Sequence, residues 1–262
     1  MNEFYAFLLG ALQGITEFIP ISSSGHLSLA EMLLGLSVEG QEDIMLTFDI
    51  LIHLATAFGI IIYYMKDIYK MVTEGLRQLA YLALASVPVA VVGFFFTEYF
   101  AAAKTSPLRI GIGFLGTAIF LMGGEVFARD IDDKHERVGA IDSFLIGLAQ
   151  AAALMPGVSR SGATIGSALI CGVGREKAVQ FSFLLGIPAF LGAATYKLIE
   201  FEPAGAEALG FTTILIGTLT AFALTFVAIP LTIKIVKTKN LVWFAGYCFL
   251  LGIGTIIYEL VG

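Results

Sequence analysis

The chain has 262 residues, 58% of them hydrophobic and 14% charged, with a formal net charge of -6. An ordinary soluble domain is roughly 45–50% apolar and roughly 25% charged. The composition therefore excludes a disordered chain, a collagen-like chain and a basic nucleic-acid-binding domain, and it points to a polytopic membrane protein.

The N-terminal stretch MNEFYAFLLGALQG has no basic region and no A-x-A cleavage site, so it reads as mature protein and not as a signal peptide. Residues 4–35 are apolar but interrupted by IPISSSGH. Three runs long enough to cross a bilayer follow, at about residues 44–65, 78–100 and 107–127. Residues 140–172 are again apolar and are interrupted by MPGVSRSG. Three more spans follow, at about residues 177–199, 210–233 and 241–260. Each interrupted region is about 32 residues, so each half is about 15 residues and about 23 Å as helix, short of a hydrocarbon core of ~30 Å. Proline, glycine and serine at each break stop the helix. Two re-entrant helical hairpins are expected, since broken backbone at membrane depth must be buried in protein or line a wet cavity.

The halves repeat. Gly10, Gln13, Ser22, Ser24, Gly25 and Gly35 recur 137 positions later as Gly147, Gln150, Ser159, Ser161, Gly162 and Gly172. Phe48, Leu51 and Gly59 recur 133 positions later as Phe181, Leu184 and Gly192. A hairpin keeps its side of the membrane and three spans change it, so the second half starts on the opposite face. The expected fold is an all-α polytopic integral membrane protein, one transmembrane domain over residues 1–262. It has an inverted-topology repeat, about 1–130 and about 138–262, with six full transmembrane helices plus two re-entrant hairpins.

Charge sets the orientation. With the N-terminus on one side, that side holds Lys104, Arg109 and Lys197, together with an acidic loop carrying Glu39, Glu42 and Asp43. The other side holds Lys66, Lys70, Arg77, Arg129, Lys134, Arg137, Arg175, Lys177, Lys234, Lys237 and Lys239. The positive-inside rule makes the second side cytoplasmic and places both termini outside. The first hairpin then opens outward and the second inward. Cys171 and Cys248 lie in apolar segments without metal spacing and read as buried free thiols.

The polar residues of the hairpins are the candidate site. Gln13 and Glu17 are four apart and share a helix face, and a carboxylate at this depth needs a partner. Ser22, Ser23, Ser24 and His26 follow at the first break. Capping of broken helix ends is the plain structural use of such serines. At the second break, Ser159, Arg160, Ser161 and Thr164 surround an arginine far from any loop. Its planar fork suits phosphate, and a helix N-terminus favours an anion. A buried Glu17–Arg160 ion pair is the structural alternative, and both uses can hold. Together the tips carry a nucleophile, a proton acceptor and positive charge, which hydrolysis of a phosphoanhydride requires. Asp49 and His53, four apart in the first span, are expected as a hydrogen-bonded pair that stabilises packing, or as support behind the hairpin's polar residues or a proton path. Glu125 and Arg129 read as an interfacial pair at a span end.

QGITEFIPISSSGHL at residues 13–27 and PGVSRSGAT at residues 156–164 resemble the two signature motifs of the BacA-type undecaprenyl-diphosphate phosphatases. Both match without a gap, and length and span pattern agree from end to end. The resemblance implies a cell-membrane enzyme that converts a polyprenyl diphosphate into the monophosphate and phosphate on the outer face. That reaction recycles the lipid carrier of cell-wall or surface-glycan synthesis, with bacitracin resistance as the associated trait. It implies catalytic roles for Glu17, for Ser23 and His26 as the nucleophile region, and for Arg160. Gln13, Ser22, Ser24, Ser159, Ser161 and Thr164 take substrate-binding positions. It also implies a divalent cation, Mg²⁺ or Ca²⁺, near Glu17. Gln13 stands where many members carry Glu, which weakens a two-carboxylate metal site.

Ser24-Gly25-His26 is also similar to the Ser-Gly-His core of the phosphatidic-acid phosphatase type 2 superfamily. That group needs an Arg-Pro element, absent here, and a histidine where this chain has Gly166. A flippase or transporter for a lipid phosphate is the other reading, since inverted repeats with broken helices are a transporter plan. The glycine-rich stretches 111–116 and 246–254 are candidates for close helix packing, within the chain or in a homodimer.

The orientation makes one expectation directly measurable. A reporter active only in the cytoplasm, fused to the C-terminus, is expected to stay silent. A strong signal would reverse the assignment.

Overall fold

The computed structural model describes residues 1–36, 42–130, 137–199, 209–238 and 241–261. The glutamate at position 39, Lys134 and Lys239 lie outside the described residues. The fold is all-α. The first broken region forms α1 (Glu3–Thr16) and α2 (Ser23–Leu33), and the second forms α7 (Ala140–Ala152) and α8 (Arg160–Ile170). Between them lie α3 (Glu42–Tyr63), α4 (Met65–Glu74), α5 (Leu76–Ala103) and α6 (Pro107–Asp130). After them come α9 (Arg175–Ile199), α10 (Phe211–Lys237) and α11 (Leu241–Val261). Among the described residues, six helices are long and apolar enough to cross a membrane: α3, α5, α6, α9, α10 and α11. The four helices of the broken regions are too short to do so alone, at 14, 11, 13 and 11 residues.

Local chemistry sets the helix ends. Asn2 caps α1 by accepting the Tyr5 N–H at 2.8 Å. Asp142 reaches back to the Gly139 N–H at 2.8 Å at the start of α7.

The halves interlock. α1 packs on α10 and α7 packs on α5, so the first arm of each broken pair lies against a span of the other half. Gly10 and Gly147, repeat partners, make these contacts possible. A Cβ on Gly10 would drive into the Gly217 carbonyl, and one on Gly147 into the Ala85 carbonyl. α6 and α11, the last spans of the two halves, pack along Gly111 and Gly252, where a Cβ on Gly111 would lie 2.8 Å from the Gly252 carbonyl oxygen. That glycine stretch therefore serves packing within the chain, whereas Gly246 and Gly254 have nothing within 4 Å.

Three sequence expectations change. Residues 66–77, left between two spans, contain the surface helix α4, which turns Met71 inward and exposes Met65, Lys66, Tyr69 and Lys70. Its apolar Ile68 and Met71 are three apart, a helical face too short to register as a span. Glu125 has a partner its spacing did not give: it is fully buried, and Arg175 holds it with two bonds of 3.0 Å while also donating to the Val236 carbonyl at 3.2 Å, the Arg129 side chain lying outside the described residues. A buried carboxylate needs a desolvated cation, and α9 supplies one to α6. Cys248 is buried and free, but Cys171 is only half-buried.

Gly147→Val is expected to cost at least about 1–3 kcal/mol, because an overpacked contact against backbone has no flexible side chain to yield. Thermal melting of the purified protein checks this, and a melt unchanged from the parent would contradict the close-approach role.

Candidate active site

The site begins with how the two breaks are built. α1 ends one residue before Glu17, whose N–H still bonds the Gln13 carbonyl at 3.0 Å. After the turn, Ser22 takes the left-handed region at φ 71° and caps α2 by accepting the Gly25 N–H at 3.3 Å. Non-glycine residues rarely adopt such angles, and they cluster where the surrounding structure forces them. In the second break, Ser159 caps α8 by accepting the Gly162 N–H at 3.0 Å. Ser22 pairs with Ser24 at 3.3 Å, and Ser159 with Ser161 at 3.2 Å. These four serines hold two helix starts, as the capping use anticipates. The Ser159 N–H also donates to Thr117 at 2.7 Å, and Thr117 donates to the Gly157 carbonyl at 2.8 Å, which ties the second break to α6.

The residue after each cap differs between the halves. Ser23 opens α2 and Arg160 opens α8, and they are repeat partners. Both reach Glu17, which is 4% exposed. Ser23 Oγ donates to Glu17 Oε2 at 2.6 Å, and Arg160 Nη2 donates to Oε1 at 2.8 Å. Gln13 Nε2 is the third donor to Glu17, bonding Oε2 at 3.1 Å. His53 Nε2 stands 3.9 Å from the same oxygen.

The wall behind Arg160 comes from α9. Arg160 Nη1 donates to the Ser182 carbonyl at 2.9 Å, and its guanidinium lies over the Phe190 ring at 4.9 Å. Gly186 makes room: a Cβ there would sit 2.7 Å from Nη1 and 2.8 Å from Cζ. Thr164 donates to the Arg160 carbonyl at 2.8 Å and bonds the Ser182 hydroxyl at 2.6 Å. Thr164 thus steadies the arginine helix and lies behind the reacting groups. Arg160 Nε is buried with no hydrogen-bond partner among the described residues.

His26 and Asp49 are placed otherwise than expected. His26 bonds the Ser22 carbonyl through Nδ1 at 2.7 Å and the Tyr247 hydroxyl through Nε2 at 2.7 Å. Its hydrogen bonds go to neither Ser23 nor Glu17, so Glu17 is the acceptor of the Ser23 proton. His53 bonds the Asp49 main-chain carbonyl at 2.7 Å, whereas the Asp49 carboxylate takes Lys104 at 3.0 Å. Asp49 keeps the Lys104 ammonium above the usual lysine range, outweighing burial. The expected side-chain pair is therefore a backbone link, which leaves His53 Nε2 aimed at Glu17.

Thr56, Lys104, Ser182, Gly186, Phe190 and Tyr247 complete the surroundings and escaped the sequence reading. Ser182 and Gly186 had a signal: at the 133-residue offset they are the repeat partners of Asp49 and His53. Gly186 leaves open the place that His53 fills in the first half.

The expected Mg²⁺ or Ca²⁺ meets a single carboxylate here. Glu17 is already engaged by Arg160, Ser23 and Gln13. Among the described residues no three His, Cys, Asp or Glu side chains gather to hold an ion. This donor set does not fit a cation held by side chains alone.

Comparison with known proteins bears on these residues. The family model described as bacitracin resistance protein BacA matches residues 6–254. A protein of Carboxydothermus hydrogenoformans named undecaprenyl-diphosphatase is 36% identical, over 100% of this chain and 99% of that protein. One of Rubrobacter xylanophilus with the same name is 39% identical over 94% of each. Undecaprenyl-diphosphatase 4 of Bacillus cereus is 36% identical over 97% of this chain and 96% of its own length.

Arg160→Lys is expected to lower kcat/KM for phosphate release from a polyprenyl diphosphate by about 10²–10³-fold, because an ammonium cannot bond the Ser182 carbonyl while presenting a planar pair of N–H groups to a phosphoryl group. Gly186→Ala is expected to cut in the same direction by displacing the guanidinium. Steady-state kinetics checks both, and wild-type values for Arg160→Lys would remove the fork from the site.

Proposed function

The chain belongs to the BacA family, and from that premise we propose that it is a multi-pass membrane enzyme hydrolysing undecaprenyl diphosphate to the monophosphate and phosphate. The observation that carries this is the Ser23–Glu17–Arg160 constellation. A hydroxyl donates at 2.6 Å to a buried carboxylate, whose other oxygen is held at 2.8 Å by a guanidinium with a further free N–H. A flippase has no need of an activated hydroxyl.

The terminal phosphoryl group docks on the Nε and Nη2 edge of Arg160. Nε is open and Nη2 exchanges Glu17 for phosphate, which frees Glu17 beside Ser23. Ser23 Oγ attacks the phosphorus and its proton passes to Glu17 Oε2. The bond from phosphorus to the bridging oxygen breaks, and the lipid monophosphate leaves with that oxygen. Arg160 and the N–H groups opening α2 and α8 face the charge that develops on the phosphoryl oxygens. In the second half, water attacks phospho-Ser23. Its proton goes to His26 Nε2, and Ser23 Oγ leaves with the proton held by Glu17. His26, one turn beyond Ser23 on α2, is the base in this reading: its Nδ1 bonds the Ser22 carbonyl and its Nε2 keeps the lone pair that takes the proton. His53 Nε2 stands 3.9 Å behind Glu17 Oε2. A divalent cation enters no step.

The basic residues on one side of the spans make that side cytoplasmic, so α1 and α2 open outward and the reaction faces the outer leaflet.

Purified protein in detergent, without a gradient, is expected to release phosphate from undecaprenyl diphosphate. Ser23→Ala is expected to lower turnover by several orders of magnitude, and His26→Ala by about 10²–10⁴-fold, the usual worth of a general base. Rapid quench of the parent is expected to trap phosphate on serine. Phosphate trapped on histidine, or near-normal turnover in both variants, would overturn this assignment.

A further inference from the structure

His26 is held by a residue from the far end of the chain. Tyr247, on α11, bonds His26 Nε2 through its hydroxyl at 2.7 Å. The two rings stack at 5.7 Å with 10° between planes. Phe114 of α6 meets the same imidazole edge-on at 5.2 Å. The ring is therefore met edge-on by Phe114 and tied through its own Nε2 to the Tyr247 hydroxyl.

The bonds also decide which nitrogen carries the proton. The Ser22 carbonyl can only accept, so Nδ1 is the N–H nitrogen at 2.7 Å. Nε2 is left with its lone pair, and the Tyr247 hydroxyl donates to it. The Ser22 carbonyl thus fixes the tautomer, and the Tyr247 hydroxyl, from outside the broken region, fixes the direction in which Nε2 points. α11 reaches the broken region mainly by packing on α6, so nothing in the local sequence of α2 supplies this partner.

We propose that Tyr247 is a positioning residue of the hydrolysis: with the Nδ1–H tautomer set by the Ser22 carbonyl, it holds the imidazole ring and aims Nε2 for proton transfer from water. The inference rests on the role of His26 as base. During the second half of the reaction the hydroxyl yields Nε2 to the incoming water. The water proton moves to Nε2 as the new phosphorus–oxygen bond forms, and the phosphorus–Ser23 bond breaks with the Glu17 proton returning to Oγ. Tyr247 takes no proton and forms no covalent bond.

The test uses the purified full chain and undecaprenyl diphosphate, with Tyr247→Phe, His26→Ala and the double variant. Phe keeps the stack and removes only the hydroxyl, at a position 44% exposed, so folding is preserved. Tyr247→Phe is expected to lower kcat by about three- to tenfold, the usual worth of one hydrogen bond, with KM unchanged. In the double variant the hydroxyl is expected to have no further effect, because its action passes through His26. Nitrogen NMR of the labelled imidazole is expected to show a displaced Nε2 resonance in Tyr247→Phe. A purely structural tyrosine would slow the His26→Ala background as much as the parent, and that result would overturn the proposal. Parent kcat and an unmoved Nε2 resonance in Tyr247→Phe, with His26→Ala crippled, would overturn it too while leaving His26 its role. Full turnover in His26→Ala would instead remove the base assignment, and the role of Tyr247 with it.

Discussion

The ion pair between Glu17 and Arg160 is the contact on which the rest of the site depends. It joins two broken helices 143 positions apart in the chain, at 2.8 Å, with side chains 3% and 12% exposed. Neither charge is tolerable alone at this depth, because a buried unpaired ion costs several kcal/mol. Each therefore requires the other, and the requirement pulls the two tips together. Ser23 then finds its acceptor already in place. Such a pair adds little net stability against well-packed apolar residues. Its value here is positional: it keeps a carboxylate beside a hydroxyl until a phosphate competes for the guanidinium.

The two breaks are one local design used twice. Each has a serine cap, a second serine that bonds the cap, and a glycine whose N–H the cap accepts. A cap satisfies an orphan N–H where the helix is interrupted, so the design answers a backbone need before any chemistry. The halves diverge at the first helical residue, serine in one and arginine in the other. In the proposed reaction that one difference separates nucleophile from phosphate clamp. The surroundings diverge to match, with His53 behind Glu17 in the first half and Gly186 making room for Arg160 in the second.

Packing keeps these groups in register. Glycines at repeat-related positions let α1 lie against α10 and α7 against α5, so neither broken pair is supported by its own half alone. Glu125 and Arg175 pin α6 to α9 away from the site. Phe18 and Phe183 meet edge-to-face at 5.4 Å and are both fully buried, closing the apolar side of Glu17's turn. An enclosure of this kind keeps water away from the buried pair and strengthens its attraction.

The sequence by itself determined the six spans, the two breaks, the repeat and the identity of the polar residues at the tips. Those are local or periodic signals: span length follows from apolar runs, and a break follows from Pro, Gly and Ser. It also held the pairing of Glu17 with Arg160 as one of two readings, because each isolated charge needs a partner. Only the tertiary structure decided that Ser23 donates to Glu17, that His26 turns to Tyr247, and that Asp49 gives its carboxylate to Lys104 and only its main-chain carbonyl to His53. A spacing of three or four residues puts two side chains on one face of a helix, but it does not say which neighbouring helix offers the better partner. That choice is made across α9 and α11, far away in the chain, where close glycine contacts and buried charges fix how the helices approach.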